Sequence, residues 1–265
     1  MAELVGIRLK KKYGQHFLRK QSVIDCMLDN VKLDKSTSVF EIGCGDGFLT
    51  KSILQTNIAR LWIFEIDPEW ASYVSKTYPD PRVTMNLENI LDSDFSRFDE
   101  FKPWVLLANL PYQITFPLLH LFQKNRAMFA EGVIMVQEEV AQKITKSGGR
   151  DFGFASVYFQ HFFEWKLLEK ISPDSFYPAP KVFSRLLYFK PKKVLDVIPN
   201  ESDFWKFVKL VFKQPRRTIR NNLAQTHYNL ELLDQEVLAL RAQQLTKPQL
   251  LELWNKINSY SLGSG

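Results

Sequence analysis

Cysteine is nearly missing from this chain: Cys26 and Cys44 are the two it has in 265 residues, and they form no Cys-x-x-Cys pair. A disulfide framework and a cysteine zinc site are thereby excluded, and the expected compartment is the reducing cytoplasm. Histidine is scarce too, with four residues and no cluster or His–acid pair at metal-ligand spacing, so no metal is expected. No apolar run approaches the roughly 20 residues of a membrane-spanning helix, and the N-terminus lacks the basic, apolar, small-residue succession of a secretory signal. A membrane partner is not expected either.

What the chain does have is an uneven positive charge. The net charge is +6 at pH 7. Arg8, Lys10, Lys11, Lys12, Arg19 and Lys20 face only Glu3 within the first twenty residues, and Lys206, Lys209, Lys213, Arg216, Arg217 and Arg220 form a second basic group. Two basic clusters around a more acidic middle suit a polyanion such as RNA. Solvated helix faces would give the same pattern.

Short apolar runs alternate with helical patterns through the first two thirds. Strands are expected at 38–42, 61–64, 83–85, 104–110 and 133–136, and helices at 21–31, 48–55, 68–78 and 115–123. That alternation predicts an α/β fold, a Rossmann-like sheet with helices on both faces. Further strands are expected at 165–171 and 185–189. Beyond a charged, Pro-containing stretch the pattern turns helical, at 204–212, 216–223, 230–241 and 248–257. The expected organisation is a mobile basic arm within 1–20, a sheet domain over 21–194 and a small all-α domain over 195–265.

Three of only eleven glycines fall at alternate positions, Gly43, Gly45 and Gly47, between the first strand and its helix. Such a loop turns tightly and lets a ligand approach the backbone. It is not the dinucleotide fingerprint, whose third glycine comes three residues after the second. Glu65 ends the next strand, where an acid can accept from both ribose hydroxyls. Together these features point to S-adenosylmethionine rather than a nicotinamide cofactor. Asn109-Leu110-Pro111-Tyr112 follows the apolar run 104–108. It offers an amide oxygen, a backbone carbonyl and an aromatic face, a grip for a planar amino group, though a Pro-containing turn ending a strand would read the same.

Tyr13-Gly14-Gln15-His16-Phe17-Leu18, Glu41-Ile42-Gly43-Cys44-Gly45, Glu65-Ile66-Asp67, Asn109-Leu110-Pro111-Tyr112, Gln137-Glu138-Glu139-Val140 and the run from Phe176 to Ser184 resemble, in order, the rRNA adenine N6,N6-dimethyltransferases. The similarity continues through Gln214 to Leu223 and Arg241 to Leu245. It implies methyl transfer from S-adenosylmethionine to N6 of two adjacent adenosines near the 3′ end of small-subunit rRNA, by a monomer acting on that RNA or an immature 30S-type subunit. It also implies roles. Gln15, His16 and Leu18 close over the cofactor, Gly43 and Gly45 lie beneath it, and Glu65 with Ile66 holds its ribose. Glu88 and Asn89 meet its adenine, and Asn109 adjoins both ligands. Leu110, Pro111, Tyr112 and Phe176 form the target-base pocket, while Lys11, Lys12, Arg216, Arg217 and Arg220 meet RNA. His16 stands where the family often has Asn, Cys44 where Pro is commoner and Asn89 where Asp is usual. The competing readings are a large-subunit methyltransferase of the macrolide-resistance type and a non-catalytic ribosome-assembly factor.

Overall fold

A computed structural model of the protein describes residues 3–261, leaving aside the side chains of Lys11 and of 259–261. The chain divides into two compact units, one running through Ala141 and resuming at Phe163–Pro191, the other made of Gln142–Phe162 and the chain from Lys192 onward.

The first unit is built on seven strands: β1 (Ser38–Ile42), β2 (Arg60–Glu65), β3 (Val83–Leu87), β4 (Trp104–Asn109), β5 (Phe129–Gln137), β6 (Phe163–Ile171) and β7 (Ser184–Pro191). Their order across the sheet is β3-β2-β1-β4-β5-β7-β6. The first five pair in parallel, and β7 runs antiparallel between β5 and β6. The expected Rossmann-like sheet is what forms, because strands covered on both faces can be apolar at every position. All five residues of β1 are buried. Its Phe40 packs in an aromatic cluster, 4.3 Å from Trp104, 4.9 Å from Phe98 and 5.1 Å from Phe64 between ring centroids. Alternate residues Val39, Ile63, Val105 and Leu107 belong to a second apolar cluster, with Val23, Ile24 and Met27 of α1 (Gln21–Asp29). Helices α2 (Phe48–Leu54), α3 (Pro68–Thr77) and α4 (Thr115–Lys124) follow β1, β2 and β4.

The second unit holds an aromatic core. Trp205 meets Tyr158 at 4.9 Å and His161 at 5.3 Å, and Phe207 meets Trp254 at 5.6 Å. The helix Phe154–Phe162 belongs to this unit, although its residues fall within the 21–194 range expected for the sheet domain. Two expected helices are broken. The one from Arg216 begins only at Ile219, because Thr218 caps it by accepting from the Asn221 N–H, and Arg217 sits in a turn closed on Gln214. Leu230–Arg241 divides into a short 3-10 turn (Leu230–Leu232) and the helix Gln235–Ala239, separated by extended Leu233 and Asp234. The N-terminal residues are not a free arm: Glu3–Leu4 and Ile7–Arg8 pair as a small hairpin, and Lys10 is anchored on Asp67.

One charged residue lies inside β1. Glu41 is fully buried, takes a hydrogen bond from the Thr50 hydroxyl at 2.8 Å on Oε2, and its Oε1 has no partner among the described residues. Burial raises its pKa from 4.5 to about 8, helped by the nearby charge of Glu65 and resisted by Thr50. The folded state therefore binds an extra proton between those values, so stability falls as pH rises through that window. Glu41→Gln, neutral at every pH, is expected to flatten the fall and to exceed the wild type at about pH 8.5 by on the order of a few kcal/mol. Urea melts at about pH 5 and pH 8.5 check this, and parallel profiles for the two proteins would contradict it.

Candidate active site

β1 and β4 are neighbours, with Ile42 opposite Ala108, so both strands leave the sheet at one place. Gly43 and Asn109 begin the two departing loops. Each loop is tied to a flanking strand, through Gly43 N–H to the Phe64 carbonyl at 2.8 Å and Leu110 N–H to the Met135 carbonyl at 3.1 Å. A cavity of about 380 Å³ opens between these ends. Such carboxyl-end crevices at a reversal of strand order are where open α/β sheets take ligands.

The glycine loop fits close approach for a concrete reason. Gly45 has φ +53°, and a Cβ there would stand 2.8 Å from the Phe17 ring, so a side chain would strain the backbone and collide with the neighbouring wall. Glu65, 6% exposed, closes the same corner. Its Oε1 accepts from the Asp67 N–H at 2.9 Å and its Oε2 from the Gly45 N–H at 3.3 Å. These bonds fix the plane of the carboxylate and leave each oxygen further acceptor capacity. Burial raises its pKa, against the pull of the two N–H donors.

The segment Tyr13–Leu18 lines the cavity as well. Phe17–Leu18 pairs antiparallel with Phe176–Tyr177, Phe17 opposite Tyr177. The Asn109 amide donates from Nδ2 to the His16 carbonyl at 3.0 Å. A carbonyl can only accept, so the amide orientation is determined and Oδ1 is the arm left for the cavity that Asn109 lines. The His16 ring donates from Nδ1 to the Pro178 carbonyl at 2.7 Å and stacks on Tyr112, with centroids 5.9 Å apart and planes 25° apart. Tyr112 is held by its hydroxyl against Ser184 at 2.6 Å.

Of the residues singled out from the sequence, Gln15, His16, Leu18, Gly43, Gly45, Glu65, Ile66, Glu88, Asn89, Asn109, Leu110, Pro111 and Tyr112 all line this one cavity. Phe176 does not. It is 4% exposed within the apolar core, because its place in the short pairing with Leu18 turns it inward. Gln15 has both amide arms engaged, Oε1 by the Lys10 N–H and Nε2 by Asp67. Asn89 caps a short turn, accepting from Leu91 N–H at 3.2 Å and donating to Asp92 at 2.8 Å, and Glu88 pairs with Arg97. Lys12 is exposed, with its ammonium 4.5 Å from the Tyr13 ring centroid, while the side chain of Lys11 lies outside the described residues. Arg216, Arg217 and Arg220 are exposed, but only Arg220 is helical, and it bonds Gln235. The three arginines therefore do not share one helix, since the chain turns between Gln214 and Thr218.

Sequence reasoning missed Lys10, Asp67 and Ser184. By sequence Lys10 falls among the basic residues that suit RNA, and Asp67 only closes the Glu65-Ile66-Asp67 motif; in the structure Asp67 also caps the following helix, accepting from the Glu69 N–H at 3.2 Å. Ser184 carries no local signal, because its contact with Tyr112 spans 72 positions.

The family model for ribosomal RNA adenine dimethylase matches residues 6–259. Ribosomal RNA small subunit methyltransferase A of Chlorobium phaeobacteroides is 34% identical over 259 residues, spanning 97% of this chain and 94% of that one. The protein of the same name in Flavobacterium johnsoniae is 30% identical over 254 residues, spanning 96% and 97%. Among solved structures, a dimethyladenosine transferase from Plasmodium falciparum is similar with a TM-score of 0.78 at 21% identity, covering 93% of this chain and 98% of that one. The 23S rRNA methyltransferase ErmE reaches 0.72 at 21% identity, covering 91% and 99%. At that identity the two structures speak for the fold.

Proposed function

This chain belongs to the ribosomal RNA adenine dimethylase family, and from that premise we propose that it dimethylates N6 of two adjacent adenosines near the 3′ end of small-subunit rRNA. The observation that carries this reading is the Asn109 amide. With Nδ2 spent on the His16 carbonyl, its oxygen can only accept, and it lines the same cavity as Glu65 and the glycine loop. Relatives named as small-subunit enzymes at 34% and 30% identity support the small-subunit target over a large-subunit one.

S-adenosylmethionine, when bound, supplies a methyl group on a positively charged sulfur. The residues here fit it: Gly43 and Gly45 leave room along the backbone, and Glu65, oriented by two N–H donors, would accept its ribose hydroxyls. Ile66, Leu18 and the turn at Glu88–Asn89 would cover its apolar and adenine parts. Asn89 would accept through an oxygen already shared with Leu91 N–H, a weaker acceptor than the carboxylate usual there.

The target adenine would be flipped out of the RNA stack, at a cost of a few kcal/mol, and stacking on Tyr112 would return roughly 1–3. With His16 over one face of Tyr112, the base would stack on the opposite face. Adenine N6 is a poor nucleophile because its lone pair is delocalised into the ring. Acceptance of its two hydrogens by Asn109 Oδ1 and the Leu110 carbonyl would orient that lone pair toward the methyl group and stabilise positive charge as it develops. The acidified nitrogen then loses a proton to water, so no dedicated base is needed. After one methylation a single N–H remains, and one of the two acceptors must release its hold. Phe176, in the core, would support the pocket by packing rather than by touching the base.

Asn109→Ala is expected to lower single-turnover methyl transfer at least about 100-fold, while S-adenosylhomocysteine affinity by calorimetry falls less than about tenfold. Retained turnover would remove Asn109 from the reaction. We assign Lys12, Arg216, Arg217 and Arg220 to RNA phosphates, with Lys11 assigned on sequence alone. Reversing the charge of the three arginines is expected to lower the slope of log K against log salt by about 2, roughly 0.7–0.9 per contact. Filter binding over a salt series reads it, and an unchanged slope would make them ordinary solvated charges.

A further inference from the structure

The segment that roofs the cavity is fastened at one buried point. Asp67 is fully buried, and it receives the Lys10 ammonium on Oδ1 at 2.6 Å and the Gln15 amide on Oδ2 at 3.2 Å. The Lys10 backbone N–H donates to Gln15 Oε1 at 2.8 Å, which closes a ring from Lys10 through Asp67 and Gln15 back to Lys10. Glu69 joins as a second anion on the same ammonium. The ring clasps the base of the turn 10–15, and the residues that follow, His16 to Leu18, line the cavity. Asp67 also donates its own N–H to Glu65 Oε1 at 2.9 Å. One residue thus holds the roof through its side chain and the ribose-site acid through its backbone.

We propose that Lys10, Gln15 and Asp67 form a latch that keeps Tyr13–Leu18 closed over the chamber and so sets how long its ligand stays bound. The identity of that ligand as S-adenosylmethionine rests on the function proposed above, but the latch itself does not. The three are positioning residues, and Lys10 in particular lies outside the lining of the cavity. The physical reason for latch behaviour is the burial of Asp67. The Glu69 N–H caps one oxygen of its carboxylate, and Lys10 and Gln15 replace the rest of its lost water in the closed state. Without the ammonium, opening the roof to admit water becomes the cheaper state. Pairing with Asp67 and Glu69 raises the Lys10 pKa, so the ammonium stays charged.

The test uses the full chain with Lys10→Met, Asp67→Asn and the double variant. Lys10→Met removes a charge from a partly exposed side chain, so it keeps the proposal falsifiable even if the buried Asp67→Asn folds poorly. Hydrogen exchange in ligand-free protein is expected to rise about tenfold over residues 13–18 in Lys10→Met, with residues 68–77 unchanged. Dissociation of S-adenosylhomocysteine, read by stopped flow, is expected to quicken about tenfold, and the double variant to be no faster than the faster single, since both break one contact. Exchange and dissociation within twofold of the wild type in Lys10→Met, or additive effects in the double variant, would overturn the latch. If the wild type does not bind S-adenosylhomocysteine, the cofactor reading falls, and hydrogen exchange alone still decides the latch.

Discussion

The parallel ladder between β1 and β4 sets Ile42 beside Ala108, and every functional feature of the first unit follows from the two strands ending together. Had a third strand lain between them, the Gly43–Gly47 loop and Asn109 would have been separated by about 5 Å more, one inter-strand spacing. With them adjacent, a loop suited to a nucleoside and an amide suited to an exocyclic amino group share one cavity. The large side chains of Phe40, Trp104 and Phe98 hold that adjacency from one face of the sheet.

Three buried acids near this edge are treated differently. Glu41 has a hydroxyl partner and no cation, and its burial favours the protonated form. Glu65 is held by backbone N–H groups and retains acceptor capacity toward the cavity. Asp67 is compensated by a lysine brought from far back in the chain. One acid thus sits in the core, one faces the cavity and one fastens the segment that carries Gln15.

What could be read from the sequence follows the range of the interactions involved. Buried strands such as Val39–Ile42 and Trp104–Ala108 announce themselves by unbroken apolar runs, and the alternate glycines at 43, 45 and 47 mark a turn that only they tolerate. Both are local signals, and the sheet formed as expected. The helix at Ile219 is harder to place, because its start depends on the capping preference of Thr218 after Pro215 rather than on periodicity. Phe176 illustrates a different gap: its motif is recognisable, but which way the ring turns depends on pairing with Leu18, 158 positions away in sequence by the register Phe176 to Leu18. The contact between Lys10 and Asp67 spans 57 positions and leaves no mark in either neighbourhood.

In the proposed reaction a single chamber methylates adenine N6 twice. Its most direct measurement is mass-spectrometric mapping of methylated adenines after the purified protein is incubated with S-adenosylmethionine and small subunits from a strain that lacks it. Two adjacent adenosines near the 3′ end of the small-subunit rRNA, each carrying two methyl groups on N6, are the predicted result. Small-subunit rRNA left without N6,N6-dimethyladenosine at those positions would contradict it.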